Sequence, residues 1–206
     1  MPDATILLNE MSKGDAAAVK APESIDEMVE LIAAHLYSLA SMLVGEGKES
    51  ERLVEIAISS AEVSVCDDPG RARQSSQQAL STAAIDLLAG RDPSSLEAPE
   101  GLEPAATCIE DDDLASAGIS TKELESMIAG PDRDRVRKWL ASLPTAMRTV
   151  FVLRAVAGLK AAETATLLRA HGGPQAAGWT PETAREVFRQ GLCSLASQLL
   201  QASAAR

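Results

Sequence analysis

The sequence predicts an all-α protein with two small helical domains joined by an acidic linker. Apolar residues make up 46% of the 206 residues and are mostly Ala and Leu, whereas aromatic residues make up only 2%. Ala and Leu are strong helix formers, and the apolar positions recur at helical rather than strand-like spacing. We assign residues 1–22 to a flexible tail, 23–91 to the first helical domain, 92–118 to the linker and 119–206 to the second helical domain.

A capping signal marks the start of the first helix. Ser24 and Glu27 have the spacing of a capping box, in which the serine side chain accepts a backbone amide and the glutamate reaches back to the serine amide. The helix is predicted to extend to about Leu43. The segment Gly45-Glu46-Gly47 then ends it, because glycine readily adopts the conformations that leave a helix.

Two more helices are predicted in the first domain. They span about residues 49–65 and about residues 71–89, with a turn at residues 67–70 between them and Gly90 ending the second. The side chains predicted to face inward in the three helices are Met28, Ile32, Leu36, Leu39, Leu53, Ile56, Ala57, Val63, Leu80, Ala83, Ala84, Leu87 and Leu88.

The second domain opens with another capping box. Ser120 and Glu123 start a short helix that Gly130 closes, and Asp132 or Asp134 starts the next helix. The core residues predicted in this part are Val136, Trp139, Leu140, Leu143 and Phe151.

A proline marks the junction to the following helix. Pro144 fits the first turn of a helix, where its missing amide donor is not needed. The helix ends at Gly158, because glycine takes the left-handed cap without strain. The positions that recur at helical spacing in between are Met147, Val150, Phe151 and Arg154.

A short helix and a longer one complete the second domain. The short helix spans about Lys160–Ala170, with Leu167 and Leu168 on its inner side. After a glycine-rich break, Thr180-Pro181-Glu182 supplies a capping hydroxyl, a proline at the first position and an acid near the positive end of the helix dipole. The order of a helix, a glycine turn, a short helix and a basic helix is typical of a helix-turn-helix unit.

The same segment carries a family resemblance. It resembles the C-terminal DNA-binding domain, region 4, of bacterial RNA polymerase sigma factors of the extracytoplasmic-function class. The matching positions are Leu143-Pro144, Arg148, Val150-Phe151, Leu153-Arg154, Gly158-Leu159, Glu163, Ala165 and Leu168, and residues 182–189 resemble part of the recognition helix. The resemblance implies contacts with promoter DNA by Arg148, Thr183, Arg185 and Arg189. The sequence departs from the family in an inserted segment at residues 172–179 and in a recognition helix whose basic residues are reduced to Arg185 and Arg189.

The first domain resembles region 2 of the same family, the domain that binds core polymerase and melts the promoter. The similar segments are residues 36–45, 50–55 and 84–91. The resemblance implies a polymerase contact formed by Glu51, Arg52, Leu53 and Glu55, although Arg52 stands where the family has an acid. No Phe, Trp or Tyr lies between Tyr37 and Trp139, so this domain offers few aromatic faces on which unpaired bases could stack.

Charge is distributed unevenly along the chain. Residues 1–130 hold 25 acids and 8 bases, a net charge of −17, whereas residues 131–206 hold 5 acids and 11 bases, a net charge of +6. The second part therefore suits phosphates better than the first, although a basic cluster at residues 133–138 is equally typical of an ordinary solvated helix. The linker contains the acidic run Glu110-Asp111-Asp112-Asp113. Two interpretations stay open for it: a flexible tether, or a segment that folds back and masks the basic helices.

The candidate DNA-contacting residues also have two interpretations each. Arg185 and Arg189 lie four residues apart, so they share one helix face that could contact DNA, or they could pair with nearby acids such as Glu182. Arg148 either braces the helix pair or touches a phosphate. Trp179 lies in the insertion, where it could pack the loop against the domain.

The sequence gives no support for an enzyme, a metal site or a cofactor. His35 and His171 are isolated, and no phosphate-binding glycine loop or metal-ligand spacing occurs. The three cysteines, Cys66, Cys108 and Cys193, are widely spaced, which argues against a disulfide framework and suits the reducing cytosol. We expect a cytoplasmic protein, since neither a signal peptide pattern nor a membrane-spanning apolar run is present.

These observations lead to two functional hypotheses. The first is a sigma-factor-like transcription initiation protein that binds promoter DNA through its C-terminal helix-turn-helix and core RNA polymerase through its N-terminal helices. The second is a degenerate sigma-like interaction module that regulates transcription without melting or reading DNA. An anti-sigma or other regulatory protein is a further expected partner in either case.

Overall fold

The computed structural model describes residues 25–60, 69–99, 113–117, 119–130 and 133–204. These residues form helices and connecting turns and contain no strand, which confirms the predicted all-α class. Short 3₁₀ helices lie at Ala115–Ala117 and Pro174–Gly178. The α-helices are α1 (Ile25–Val44), α2 (Lys48–Ser60), α3 (Pro69–Arg91), α4 (Thr121–Ala129), α5 (Arg133–Ser142), α6 (Thr145–Ala155), α7 (Ala161–His171) and α8 (Pro181–Ala204).

Helices α1, α2 and α3 pack against one another in the first half of the chain. The turn between α1 and α2 uses Gly45 and Gly47, whose φ angles of 93° and 123° suit glycine. Apolar side chains from each helix are buried at the shared interface. Those predicted to face inward and found fully or nearly fully buried are Leu36, Leu39, Leu53, Ala57, Leu80, Ala84 and Leu88.

Three details of this half differ from the sequence prediction. Ile56 is 37% exposed rather than buried, and Ile85 is fully buried although it was not predicted to be. Gly90 lies within the last turn of α3, which ends at Arg91. Three predictions fall outside the described residues. They are the cap at Ser24 and the inward positions of Val63 and of the Met28 side chain.

The helices of the second half begin where local capping signals predicted. The Ser120 side chain accepts a hydrogen bond from the Glu123 amide at 3.2 Å, and the Glu123 carboxylate accepts one from the Ser120 amide at 2.8 Å. These bonds lower the pKa of Glu123, chiefly through the backbone amide of Ser120. Thr180 caps α8 in the same way, because its hydroxyl accepts a hydrogen bond from the Thr183 amide at 3.1 Å.

The junctions around α6 follow the prediction with small shifts. Pro144 occupies the N-cap position of α6 rather than its first turn. At the other end, α6 stops at Ala155, and Gly158 then reverses the chain with a φ of 71°. The Leu159 amide donates to the Leu153 carbonyl at 3.0 Å across this turn.

An aromatic cluster forms the centre of the second half. The ring of Phe151 on α6 lies 5.0 Å from Trp139 on α5 in an edge-to-face arrangement and 5.6 Å from Phe188 on α8. The indole N–H of Trp139 donates to the Ser194 hydroxyl at 2.9 Å. Gly191 lets α8 come close, because a Cβ atom at this position would lie 3.0 Å from the Phe151 ring.

The two halves of the chain contact each other along two seams. At the first, α1 packs against α5 and α6, where Arg137 forms an ion pair with Glu46 and donates to the Ser41 hydroxyl at 3.2 Å. At the second, α3 packs against α7, and His171 Nδ1 lies 3.1 Å from an Asp86 carboxylate oxygen. Buried residues of both halves belong to one contiguous hydrophobic cluster. The division into two domains stays a prediction.

The inserted segment at residues 172–179 lies at the second seam. It forms the 3₁₀ helix Pro174–Gly178 against α7 and places Trp179 fully inside the protein. The indole N–H of Trp179 donates to the carbonyl of Leu96 at 2.8 Å, and Leu96 is itself fully buried. The start of the predicted linker is therefore packed against the second half and is not a free tether.

A first prediction concerns His35, which lies between α1 and α3. The Gln77 amide nitrogen lies 2.6 Å from Nε2, and the Arg73 guanidinium lies 3.1 Å from Nδ1. Burial, followed by the charge of Arg73, lowers the pKa of His35 below 6.5. The folded protein therefore binds this proton less readily than the unfolded chain, and stability should fall as the pH drops below 6.5 towards the folded pKa.

Urea unfolding at several values between about pH 8 and about pH 5.5 would measure this effect, because His is the side chain that normally titrates in that range. The fall should be smaller in His35→Gln and should persist in His171→Gln. An equal fall in wild type and His35→Gln would contradict this assignment.

A second prediction concerns the hydrogen bond between Trp179 and Leu96. Trp179→Phe leaves the buried Leu96 carbonyl without its donor, which should lower the free energy of unfolding by about 1–3 kcal/mol. The matched control is Trp139→Phe, which also removes an indole hydrogen bond but leaves a part-exposed serine hydroxyl that water can satisfy. Limited proteolysis should cleave residues 92–99 faster in Trp179→Phe only. Equal cleavage in both variants would show that Trp179 does not hold this segment.

Candidate nucleic-acid interface

The start of α8 carries three of the four residues predicted to contact DNA. Ala184, Val187 and Phe188 face the core and are nearly fully buried, and this fixes the rotation of the helix. Thr183 is half-buried, and its hydroxyl lies 3.1 Å from that of Thr180. Arg185 and Arg189 follow on the outer side of the same helix.

Arg185 is exposed and pairs with an acid on its own helix. Its side chain is 50% exposed, and its Nη1 atom lies 3.4 Å from a carboxylate oxygen of Glu182. The pKa of Glu182 is lowered, first by a hydrogen bond from its own backbone amide and also by Arg185. The ion pair suggested by the sequence is therefore present in the structure.

Arg189 is held more tightly than Arg185. Its Nη1 atom lies 3.1 Å from a carboxylate oxygen of Glu186, and the two side chains are only 20% and 15% exposed. A shielded pair of opposite charges presents little net field to a phosphate. The face of α8 predicted to contact DNA thus consists of two arginines, each matched by a glutamate one turn earlier.

Arg148 lies at a different place, in a cavity between α1, α5 and α6. Its Nε atom is buried and has no hydrogen-bond partner. Burial, followed by the nearby charge of Arg91, lowers the pKa of Arg148 from its ordinary value. No carboxylate in the part of the chain that the structure describes forms an ion pair with it. Arg148 therefore carries a half-buried positive charge that no carboxylate of the described residues compensates through an ion pair.

Arg154 and Asp113 lie near Phe188 of α8. The guanidinium of Arg154 stacks over the ring of Phe188 at 4.3 Å from its centre. Asp113 lines a cavity of about 520 Å³ together with Arg154 and Lys160. This last residue of the acidic run thus lies beside basic side chains, while Glu110, Asp111 and Asp112 are outside the described ranges.

The predicted polymerase contact lies on α2. Glu51, Arg52 and Glu55 are exposed, but Leu53 is only 2% exposed, because it packs into the interface between the helices. Leu53 is therefore a core residue and cannot itself touch a partner in this conformation. Arg91, at the end of α3, forms an ion pair with Glu49 at the start of α2.

Among the residues with described positions, no three His, Cys, Asp or Glu side chains come together as metal ligands, and no helix combines the length and apolarity needed to cross a membrane. Cys193 is disulfide-bonded, which corrects the expectation drawn from cysteine spacing.

Sequence reasoning did not single out the grouping of Arg148 with Arg137 and Lys138. These three basic residues line one cavity, although Arg148 is separated from the other two by a helix boundary. The only sequence signal was the basic cluster before Pro144. The link between His171 and Asp86 was also missed, because the two residues are 85 positions apart.

Comparisons with protein-family models, with curated proteins and with solved structures return no significant match to this chain.

Proposed function

We propose that this chain is a sigma-like protein-interaction module that regulates transcription without melting or reading promoter DNA. The observation that carries the proposal is the charge arrangement on α8. Arg185 and Arg189, which the family resemblance assigns to DNA, are paired with Glu182 and Glu186. The face of α8 that was expected to contact phosphates therefore carries a net charge close to zero.

Neutralisation of phosphates by free Lys and Arg supplies most of the affinity of proteins for DNA without regard to sequence. A DNA phosphate would have to compete with Glu186 for Arg189, inside a pair that is mostly shielded from solvent. Melting is opposed further by the first half of the chain, because its only aromatic residue is Tyr37 and it is strongly acidic.

The exposed side of α2 supports a protein partner. Glu51, Arg52 and Glu55 project from a helix whose buried side is fixed by Leu53 and Ala57. Ile56 is 37% exposed beside them, so the surface mixes charge with an apolar contact, as protein interfaces do. Core RNA polymerase is the partner that the resemblance suggests, and an anti-sigma or other regulatory protein is the alternative.

The second candidate function is a DNA-binding sigma factor with a helix-turn-helix at its C-terminal end. Two observations favour it: α7 and α8 pack as neighbouring helices, and Arg185 is half exposed near the positive end of α8. The net charge of +6 over residues 131–206 also favours binding to DNA.

A third prediction separates the two candidates by DNA binding. The full chain should show no saturable binding to duplex DNA at low salt in a fluorescence anisotropy titration. The double variant Glu182→Gln/Glu186→Gln removes the two carboxylates that pair with Arg185 and Arg189 and should gain binding that weakens as salt rises.

The matched control is Glu51→Gln/Glu55→Gln, which changes the net charge equally but on α2. It should gain no binding. Salt-sensitive binding by the wild type that is lost in Arg185→Ala/Arg189→Ala would contradict the proposal and favour the sigma-factor hypothesis.

A fourth prediction tests the partner. Purified core polymerase from the organism that encodes the chain should bind the immobilised protein, and Arg52→Glu should weaken binding about tenfold, which corresponds to about 1.4 kcal/mol. Lys122→Glu makes the same charge change at an exposed position on α4 and should change affinity less than about twofold. Wild-type protein that does not bind core polymerase would exclude it as the partner.

A further inference from the structure

The cavity between α1, α5 and α6 has the size and lining of a small-molecule site. Its volume is about 360 Å³, within the range in which proteins hold small ligands. Met42 and Leu140 supply apolar wall, and Arg137, Lys138 and Arg148 supply the basic groups. A ligand with an apolar or flat body and an anionic group would match both parts of this lining.

Arg148 is the residue of the lining whose partly buried charge would be compensated by a ligand. Its guanidinium remains charged at physiological pH even though burial makes the charge unfavourable. Among the described residues, none accepts a hydrogen bond from the buried Nε–H. A charge without a counter-ion raises the energy of the unliganded protein, and an anion in the cavity would compensate the charge of Arg148.

The other charges in the lining leave a positive excess. Arg137 is engaged by Glu46 and by the Ser41 hydroxyl. Asp134 is the other acid in the lining, and it lies 3.9 Å from Arg133. Lys138 is exposed at the cavity, and within the described ranges it forms no ion pair. Lys138 and Arg148 thus provide two positive charges around one space.

From this arrangement we propose that the cavity binds a small phosphorylated molecule, with its phosphate held by Arg148 and Lys138 and its body against Met42 and Leu140. A phosphate monoester carries up to two negative charges, which match the two basic groups, and the planar guanidinium fork suits its oxygens. The site is independent of the proposed protein contact, because neither α2 nor α8 lines it.

Ligand binding here would also act on the fold. The cavity is lined by residues of α1 from the first half and of α5 and α6 from the second. A ligand that contacts both sides stabilises the folded arrangement in proportion to its concentration above Kd. The site would thus couple a small phosphorylated molecule to the seam between the two halves.

A fifth prediction tests this site by calorimetry and thermal unfolding of the full chain. The probes are adenosine 5′-monophosphate, adenosine and inorganic phosphate. The monophosphate should bind one site per chain and raise Tm, and adenosine should do neither. Arg148→Gln should weaken monophosphate binding at least tenfold, and Lys138→Gln should weaken it several-fold. Arg185→Gln is the matched control and should leave Kd within twofold.

The thermal stability of the variants shows whether a loss of binding is caused by unfolding. Arg148→Gln removes an uncompensated charge, so its Tm without ligand should be no lower than that of wild type, and Lys138→Gln changes an exposed side chain. Inorganic phosphate binding as tightly as the monophosphate, with the same dependence on Arg148, would support the phosphate site and assign free phosphate as its ligand. Absence of binding by both phosphate probes, or equal binding by wild type and Arg148→Gln, would overturn the proposal.

Discussion

The packing of Phe151 between Trp139 and Phe188 is the contact on which the second half of the molecule depends. Four of the chain's five aromatic residues lie in this half, and all four are buried. Aromatic pairs of this kind contribute about 0.5–1.5 kcal/mol beyond the area they bury. Gly191 shows how closely the helices approach: glycine inside a helix costs about 1 kcal/mol relative to alanine, yet a Cβ atom would lie 3.0 Å from Phe151.

The inserted segment extends this core to the first half of the chain. The 3₁₀ helix between α7 and α8 places Trp179 so that its indole N–H donates to the carbonyl of Leu96. The segment at residues 172–179 therefore joins the two halves. This gives it a structural role that does not depend on DNA, and it restricts independent movement of α3 relative to α7.

Features determined by nearby residues could be predicted from the sequence, and features determined by distant ones could not. The capping box at Ser120 and Glu123 formed as expected, because all of its atoms belong to four consecutive residues. Ile56 was assigned to the buried side but is exposed, and the burial of Ile85 was not predicted, since helical spacing gives the period of burial but not which neighbour covers a face. The ion pair of Glu182 with Arg185 was foreseen for the same local reason, whereas the cavity around Arg148 depends on α1, about 100 residues earlier.

The electrostatic surroundings of the basic residues, and not their positions in the motif, separate their roles. Arg189 and Arg148 were both expected to contact DNA, but Arg189 has Glu186 at 3.1 Å, and the buried Nε of Arg148 has no acceptor among the described residues. The charge of a paired arginine is already compensated by its carboxylate, so binding an external anion lowers the free energy of the protein only slightly. An unpaired, half-buried arginine loses hydration without compensation, and binding an anion relieves that loss. Among the basic groups compared here, an anion would therefore be stabilised most by Arg148, at the seam between the two halves, and not by the arginines of α8.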